Sequence, residues 1–170
     1  MIWVKFTRHE LMLAAMAGAQ RRIAALEIQR PAKHGADDRA ENNWQIDIVG
    51  TMGEMAVSKA YQKYWFPAAY DGNLKSLEGD VGQLQVRSTG WLSGHLLLYE
   101  YDKPETPYIF TIVREPHVKI VGWTTLEEAR RIGDPRPSKT DMCYWVRQDR
   151  LRPAETLSEV AEREGEVWIK

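Results

Sequence analysis

The apolar residues of this chain change period once. Up to about residue 65 they recur at helical spacing, and after Pro67 they alternate or form short runs of strand length. Helices followed by a block of strands predict an α/β domain of the α+β kind, in which the sheet is assembled late and the early helices cover it. With 170 residues, one core of ordinary size suffices, and a single domain is expected. The one cysteine, Cys143, leaves no disulfide framework and no thiolate-rich zinc site. Apolar runs are far shorter than the roughly 20 residues that cross a bilayer, and Met1–Glu10 has no secretory pattern, so no membrane partner and a cytoplasmic location are expected.

Thr7-Arg-His-Glu10 has the pattern of a capping box, and predicts a first helix over about residues 8–30. Leu11, Ala14, Ala15, Gly18, Ile23 and Leu26 form its apolar stripe, and Pro31 ends it. A polar stretch, 31–43, reads as a loop. Asn43 is then the expected N-cap of a second helix to about Trp65. Gly50 and Gly53 inside that helix each cost about 1 kcal/mol relative to Ala. Their expected use is close approach to another backbone beside Glu54.

Asp71-Gly72-Asn73 is a turn signal. Beyond it, Leu84, Val86 and Ser88 alternate with Gln85, Arg87 and Thr89, so one face of this strand is apolar and the other polar. Further strands are expected over about 94–101, 108–113, 117–121 and 143–146, with short connections predicting an antiparallel meander. Thr124 or Thr125 caps a short helix, Gly133–Pro137 reads as a loop, and a C-terminal helix is expected over about 157–164.

Gln85 and Arg87, two apart on a strand, project from one face. Asp80 precedes Gly82, whose backbone freedom permits a sharp bend that could turn the carboxylate toward them. A helical Glu, then an Asp at a bend, then a strand carrying polar-Val-basic, resembles the PD-(D/E)XK, or restriction-endonuclease-like, superfamily over about 44–121. The phrases Gly53-Glu54, Gly79-Asp80-Val-Gly82, Val86-Arg87-Ser-Thr89 and Gly122-Trp123-Thr124 are similar to those of small bacteriophage-encoded members.

The resemblance implies a restriction-endonuclease-like core, a mixed sheet with a mainly antiparallel meander flanked by helices. It also implies a nuclease-like protein acting on DNA phosphodiesters with Mg2+ or Mn2+, in the host cytoplasm if phage-encoded. Glu54, Asp80, Gln85 and Arg87 take the catalytic positions, the first three as metal ligands. His95, Lys103, Ser88 and Thr89 are secondary candidates for nucleic-acid contact. The family's Glu is Gln85 here and its Lys is Arg87. Gln offers a carbonyl oxygen without charge, and Arg, with a pKa above about 12, is a poor base but a good phosphate clamp. The same replacements fit an alternative: an inactive member kept as a DNA-binding or protein-interaction module, such as a phage antagonist of a host enzyme. The short step from Asp80 to Gln85 puts Asp80 in a tight hairpin or short of the site. A homodimer is compatible with the sequence.

Overall fold

Tyr108–Arg114 (β4) is buried along its first six residues, which requires cover on both faces of the strand. The computed structural model describes residues 1–27, 40–67, 79–138 and 141–157, and places β4 inside a mixed five-stranded sheet. The strand order is Ile2–Lys5 (β1), His117–Thr124 (β5), β4, Gln85–Thr89 (β2), with the two-residue Arg152–Pro153 (β8) also pairing to β5. β1 and β4 flank β5 antiparallel, whereas β2 runs parallel to β4.

Helix α2 (Ala40–Tyr61) covers one face of this sheet, and α1 (Arg8–Glu27) packs against α2. There Val86, Ile109, Val113, Val118 and Ile120 meet Val49, Met52, Met55 and Val57. A second layer covers the other face: a three-stranded antiparallel sheet of Leu96–Tyr99 (β3), Met142–Val146 (β7) and Asp134–Pro137 (β6), with the short helix α3 (Leu126–Ile132). Leu96, Leu98, Val146, Leu126 and Ala129 pack there on Tyr108, Phe110, Ile112 and Val121.

The expected helices and sheet are present, but the meander is not. β3 does not pair with β2; it leaves for the second sheet, and the chain returns to lay β4 parallel to β2. Parallel neighbours need a long crossover, and residues 90–107, with β3 inside them, supply it. The fully buried Leu96 and Leu98 drive the departure, because they cover the sheet face that α2 does not reach. Three smaller expectations also change. Ile2–Lys5 is an edge strand; Asp134–Pro137 is strand β6 rather than a loop; and α2 begins at Ala40, so Asn43 lies buried in its first turns instead of capping it. The C-terminal helix over 157–164, the turn at Asp71–Asn73 and the end of the first helix past Glu27 fall outside the described residues, except for Leu157.

The capping box forms. Glu10 Oε2 accepts from the Thr7 N–H at 2.6 Å, and Thr7 Oγ1 accepts from the Glu10 N–H at 3.3 Å. α1 and α2 then cross where Gly18 meets α2: a Cβ at Gly18 would lie 2.6 Å from Ile48 Cα. Thr51 Oγ1 donates across the same crossing to Ala14 O at 2.8 Å. Gly53 does for the sheet what Gly18 does for the helix pair, since its Cβ would lie 1.9 Å from Ser88 Oγ and 2.5 Å from Thr111 Oγ1.

Gly53→Ala is therefore expected to destabilise the protein by about 2 kcal/mol or more, because the sheet lies directly beneath it. Gly50→Ala, whose Cβ would meet only Arg21 Nη1 at 3.9 Å, should instead stabilise by about 0.5–1 kcal/mol through helix propensity. Chemical denaturation of the two variants beside the wild type reads both signs.

Candidate functional site at the β2 edge

β2 ends the sheet, so alternate N–H and C=O groups along its outer side have no strand to pair with. The segment Asp80–Leu84 closes on itself at the start of that edge. The Asp80 N–H and the Val81 N–H donate to Leu84 O at 2.8 and 3.1 Å, and the Leu84 N–H donates to Val81 O at 3.0 Å. Gly82 turns the chain at φ 60, in the left-handed region that a side chain disfavours. Asp80 Oδ2 then accepts from the Val86 N–H at 2.8 Å, satisfying the next free donor of the edge. This is the tight hairpin that the short step to Gln85 implied.

Glu54 arrives from α2. Gly53 presses that turn of the helix onto β2, and Glu54 is left 4% exposed. An ionised carboxylate buried to that degree needs partners. Arg21 of α1 supplies a bidentate pair, Nη1 to Oε1 at 2.7 Å and Nη2 to Oε2 at 2.9 Å, and Trp65 Nε1 donates to Oε2 at 3.1 Å. Trp65 is itself bridged to Val81, which ties the Glu54 end of the site to the Asp80 turn.

The two carboxylates feel one another. Burial, followed by the negative charge of Glu54, pushes the Asp80 pKa up to about 6, against the opposing pull of the Val86 N–H, Arg87 and Arg21. Arg21 responds in the other sense: its bond to Glu54 and the nearby Asp80 and Asp47 charges hold its proton more firmly than usual, in spite of burial.

Alternation along β2 sends Val86 and Ser88 toward α2, and Gln85, Arg87 and Thr89 to the opposite face. Arg87 Nη2 pairs there with Asp102 Oδ1 at 3.0 Å, over the ring of Tyr108 at 5.3 Å. Asp102 is fixed in turn by the Tyr99 N–H, which donates to its Oδ2 at 2.9 Å. Arg87 Nε is buried without a hydrogen-bond partner. Gln85 is half-buried beside Tyr108 in the ladder, and its carboxamide could meet Glu54 only around the strand edge, past Asp80. The structure thus sets Glu54, Arg21 and Arg87 within the electrostatic reach of Asp80, but puts both Gln85 and Arg87 on the strand face away from the helix that carries Glu54.

The secondary candidates are dispersed. Ser88 Oγ accepts from Thr111 Oγ1 at 2.8 Å under Gly53, within the helix-to-sheet packing. Thr89 Oγ1 accepts from the Trp91 N–H at 3.2 Å. His95 lies in the second layer, 5.7 Å from the Trp145 ring, and the Lys103 N–H donates to Tyr108 Oη at 2.9 Å. Sequence reasoning missed Arg21, Trp65 and Asp102, which hold Glu54 and Arg87. Nothing in spacing marks Arg21 or Trp65; the carboxylate at the end of a strand was the one available sign of Asp102.

As a metal-binding set, Glu54 and Asp80 are hard oxygen donors, but among the described residues no group of three His, Cys, Asp or Glu side chains is placed to hold an ion. Two such oxygens would supply only part of the coordination of a magnesium-like cation, with waters and a phosphate left to supply the rest. Arg21 would have to yield one Glu54 oxygen to it. No helix among the described residues is long and apolar enough to cross a membrane. Comparison with family models, with curated proteins and with solved structures finds no match for this chain.

The sign of the Asp80 shift sets a pH dependence. A carboxyl that holds its proton more tightly when folded favours the fold below about pH 4, and that contribution is lost as pH rises through about 6. Asp80→Asn, which retains an acceptor for the Val86 N–H, should remove this decline and raise stability at pH 7, read as a flatter melting temperature between pH 4 and 7. Arg21→Met should do the reverse, costing about 3–5 kcal/mol by stranding Glu54.

Proposed function

We propose that this chain is a nuclease-like protein acting on DNA phosphodiesters, with Glu54 and Asp80 holding a divalent magnesium or manganese ion at the β2 edge. What supports the reading is the place of Asp80, half-buried at the strand edge and bound by the Val86 N–H, with the Glu54 carboxylate near enough to help raise its pKa. Two neighbouring carboxylates repel one another, and paired acids with displaced pKa values are characteristic of sites that bind or react. A divalent cation there would neutralise the pair, polarise a phosphate oxygen and acidify a bound water. Asp80 has an oxygen to offer, since among the described residues the Val86 N–H occupies Oδ2 alone. Arg87, held by Asp102 on the other face of β2, is near enough to pull the Asp80 pKa down and would add positive charge near a bound phosphate. Gln85, on the other face of the strand, is not placed to join them. No residue of this set is an apt general base, because Arg87 does not release its proton.

A second reading has its own support. Arg21 and Trp65 already fill the oxygens of Glu54, and Asp102 already holds Arg87, so the polar groups form a closed structural network. On that reading the fold is kept as a non-catalytic DNA-binding or protein-interaction module.

Incubation of the protein with linear, circular and single-stranded DNA and manganese distinguishes the two. The first reading expects cleavage that falls at least about 100-fold in Asp80→Asn and Glu54→Gln. It also expects manganese to raise the melting temperature more at pH 7 than at pH 5, because protonated Asp80 binds the ion poorly. Stabilisation absent at both pH values, together with no cleavage, would select the second.

A further inference from the structure

The exposed side of α1 carries a second apolar stripe. Met12, Met16, Ala19, Ile23 and Leu26 succeed one another at intervals of four, three, four and three residues. The four large ones are about half exposed: Met12 50%, Met16 56%, Ile23 48% and Leu26 52%. The opposite side of the same helix, through Ala14, Ala17, Gly18 and Ala24, is buried against α2. α2 therefore does not account for this seam. A 4-3-4-3 spacing repeats every 3.5 residues on average, the period that keeps a stripe facing a single partner helix along its length. Scattered exposed apolar residues need no explanation, but five aligned on one helix over about 21 Å do.

Charge identifies the partner. With Met16 and Ile23 in the first core position of the heptad and Met12, Ala19 and Leu26 in the second, Arg22 precedes a core residue and Glu27 follows one. These flanking positions, five residues apart, are the ones that meet across two parallel helices in register. Arg22 Nε is buried without a hydrogen-bond partner, and among the described residues its guanidinium is paired with no carboxylate. In a parallel pair of two α1 helices, Arg22 of each would meet Glu27 of the other, twice by symmetry. An antiparallel pair centred on Ala19 would set Arg22 opposite Ala15 and leave both charges unmatched.

We infer that the α1 seam is a homodimer interface in which two copies of this chain pack α1 against α1, parallel and in register. Isolated helices of this length are marginal in water, but α1 is already ordered by α2, so association orders side chains rather than a backbone. The Met12 and Met16 side chains adapt readily to a symmetric partner. The partner approaches from the side away from α2, so the β2 edge stays open. The inference is independent of any chemistry at that edge.

Sedimentation equilibrium of the full chain at micromolar concentration should return twice the monomer mass. Ile23→Asp should return the monomer mass with an unchanged circular dichroism spectrum. Arg22→Glu and Glu27→Arg should each weaken the dimer about tenfold, and the two combined in one chain should restore it, because the swapped charges meet again. Met12→Cys should oxidise to a disulfide-linked dimer in the parallel arrangement, where the two positions are adjacent; the native Cys143 is buried. A wild type that is monomeric, a charge swap that does not restore the dimer, or cross-linking of Met12→Cys only to a Leu26→Cys partner would overturn the inference.

Discussion

Two close approaches, at Gly18 and Gly53, set the position of α2, and the rest of the molecule is arranged around that helix. At the first, α1 lies so near that a methyl group would strike Ile48 Cα; at the second, α2 lies so near the sheet that a methyl group would strike Ser88 and Thr111. A helix clamped on both sides cannot rotate without exposing Val49, Met52 and Val57 or driving a bulky residue into the sheet. The turn that carries Glu54 is the one pressed down by Gly53. Glu54 is thus delivered to the sheet edge by packing, and its burial is a consequence of the same geometry.

Burial of Glu54 creates the electrostatic problem that the neighbouring residues answer. Arg21 comes from the face of α1 that touches α2, so the helix crossing which buries the carboxylate also brings its counter-ion. Trp65 closes the remaining donor gap and is anchored to Val81. What the network does not neutralise is Asp80, which is held by a backbone amide and raised by Glu54 rather than paired directly with an arginine. Burial first and the Glu54 charge second raise the pKa of Asp80 against the pull of Arg87 and Arg21, and this separates the edge from an ordinary set of ion pairs.

The sequence made much of this legible, and for identifiable reasons. The alternation of Leu84, Val86 and Ser88 with Gln85 and Arg87 is a local property, and the faces it assigns are those observed. The capping box, the glycine beside Glu54 and the turn at Gly82 are local too. What remained hidden depends on partners distant in sequence. The parallel pairing of β2 with β4 requires knowing that β3 leaves the sheet, which short connections conceal. Arg21 and Glu54 are 33 residues apart, joined only by the register of two helices. The apolar residues of α1 looked like one stripe because Ile23 and Leu26 were grouped with Leu11 and Gly18, whereas they lie on opposite sides of the helix.

The edge of β2 combines a structural duty with a chemical opportunity, and the atoms involved show how both can hold. An exposed edge strand invites pairing with another chain, and the Asp80–Leu84 turn covers the start of this one, where Asp80 occupies the Val86 N–H. Asp80 contributes one carboxylate oxygen to that task through the Val86 N–H, and the other has no bond to the described residues. Fixing one oxygen to a rigid strand orients the second, as a hydrogen-bonded carboxylate is oriented around a metal. The edge-capping role of Asp80 does not depend on any bound ion. The retained strain of its raised pKa is harder to explain on that role alone, because an asparagine would cap Val86 equally well without it.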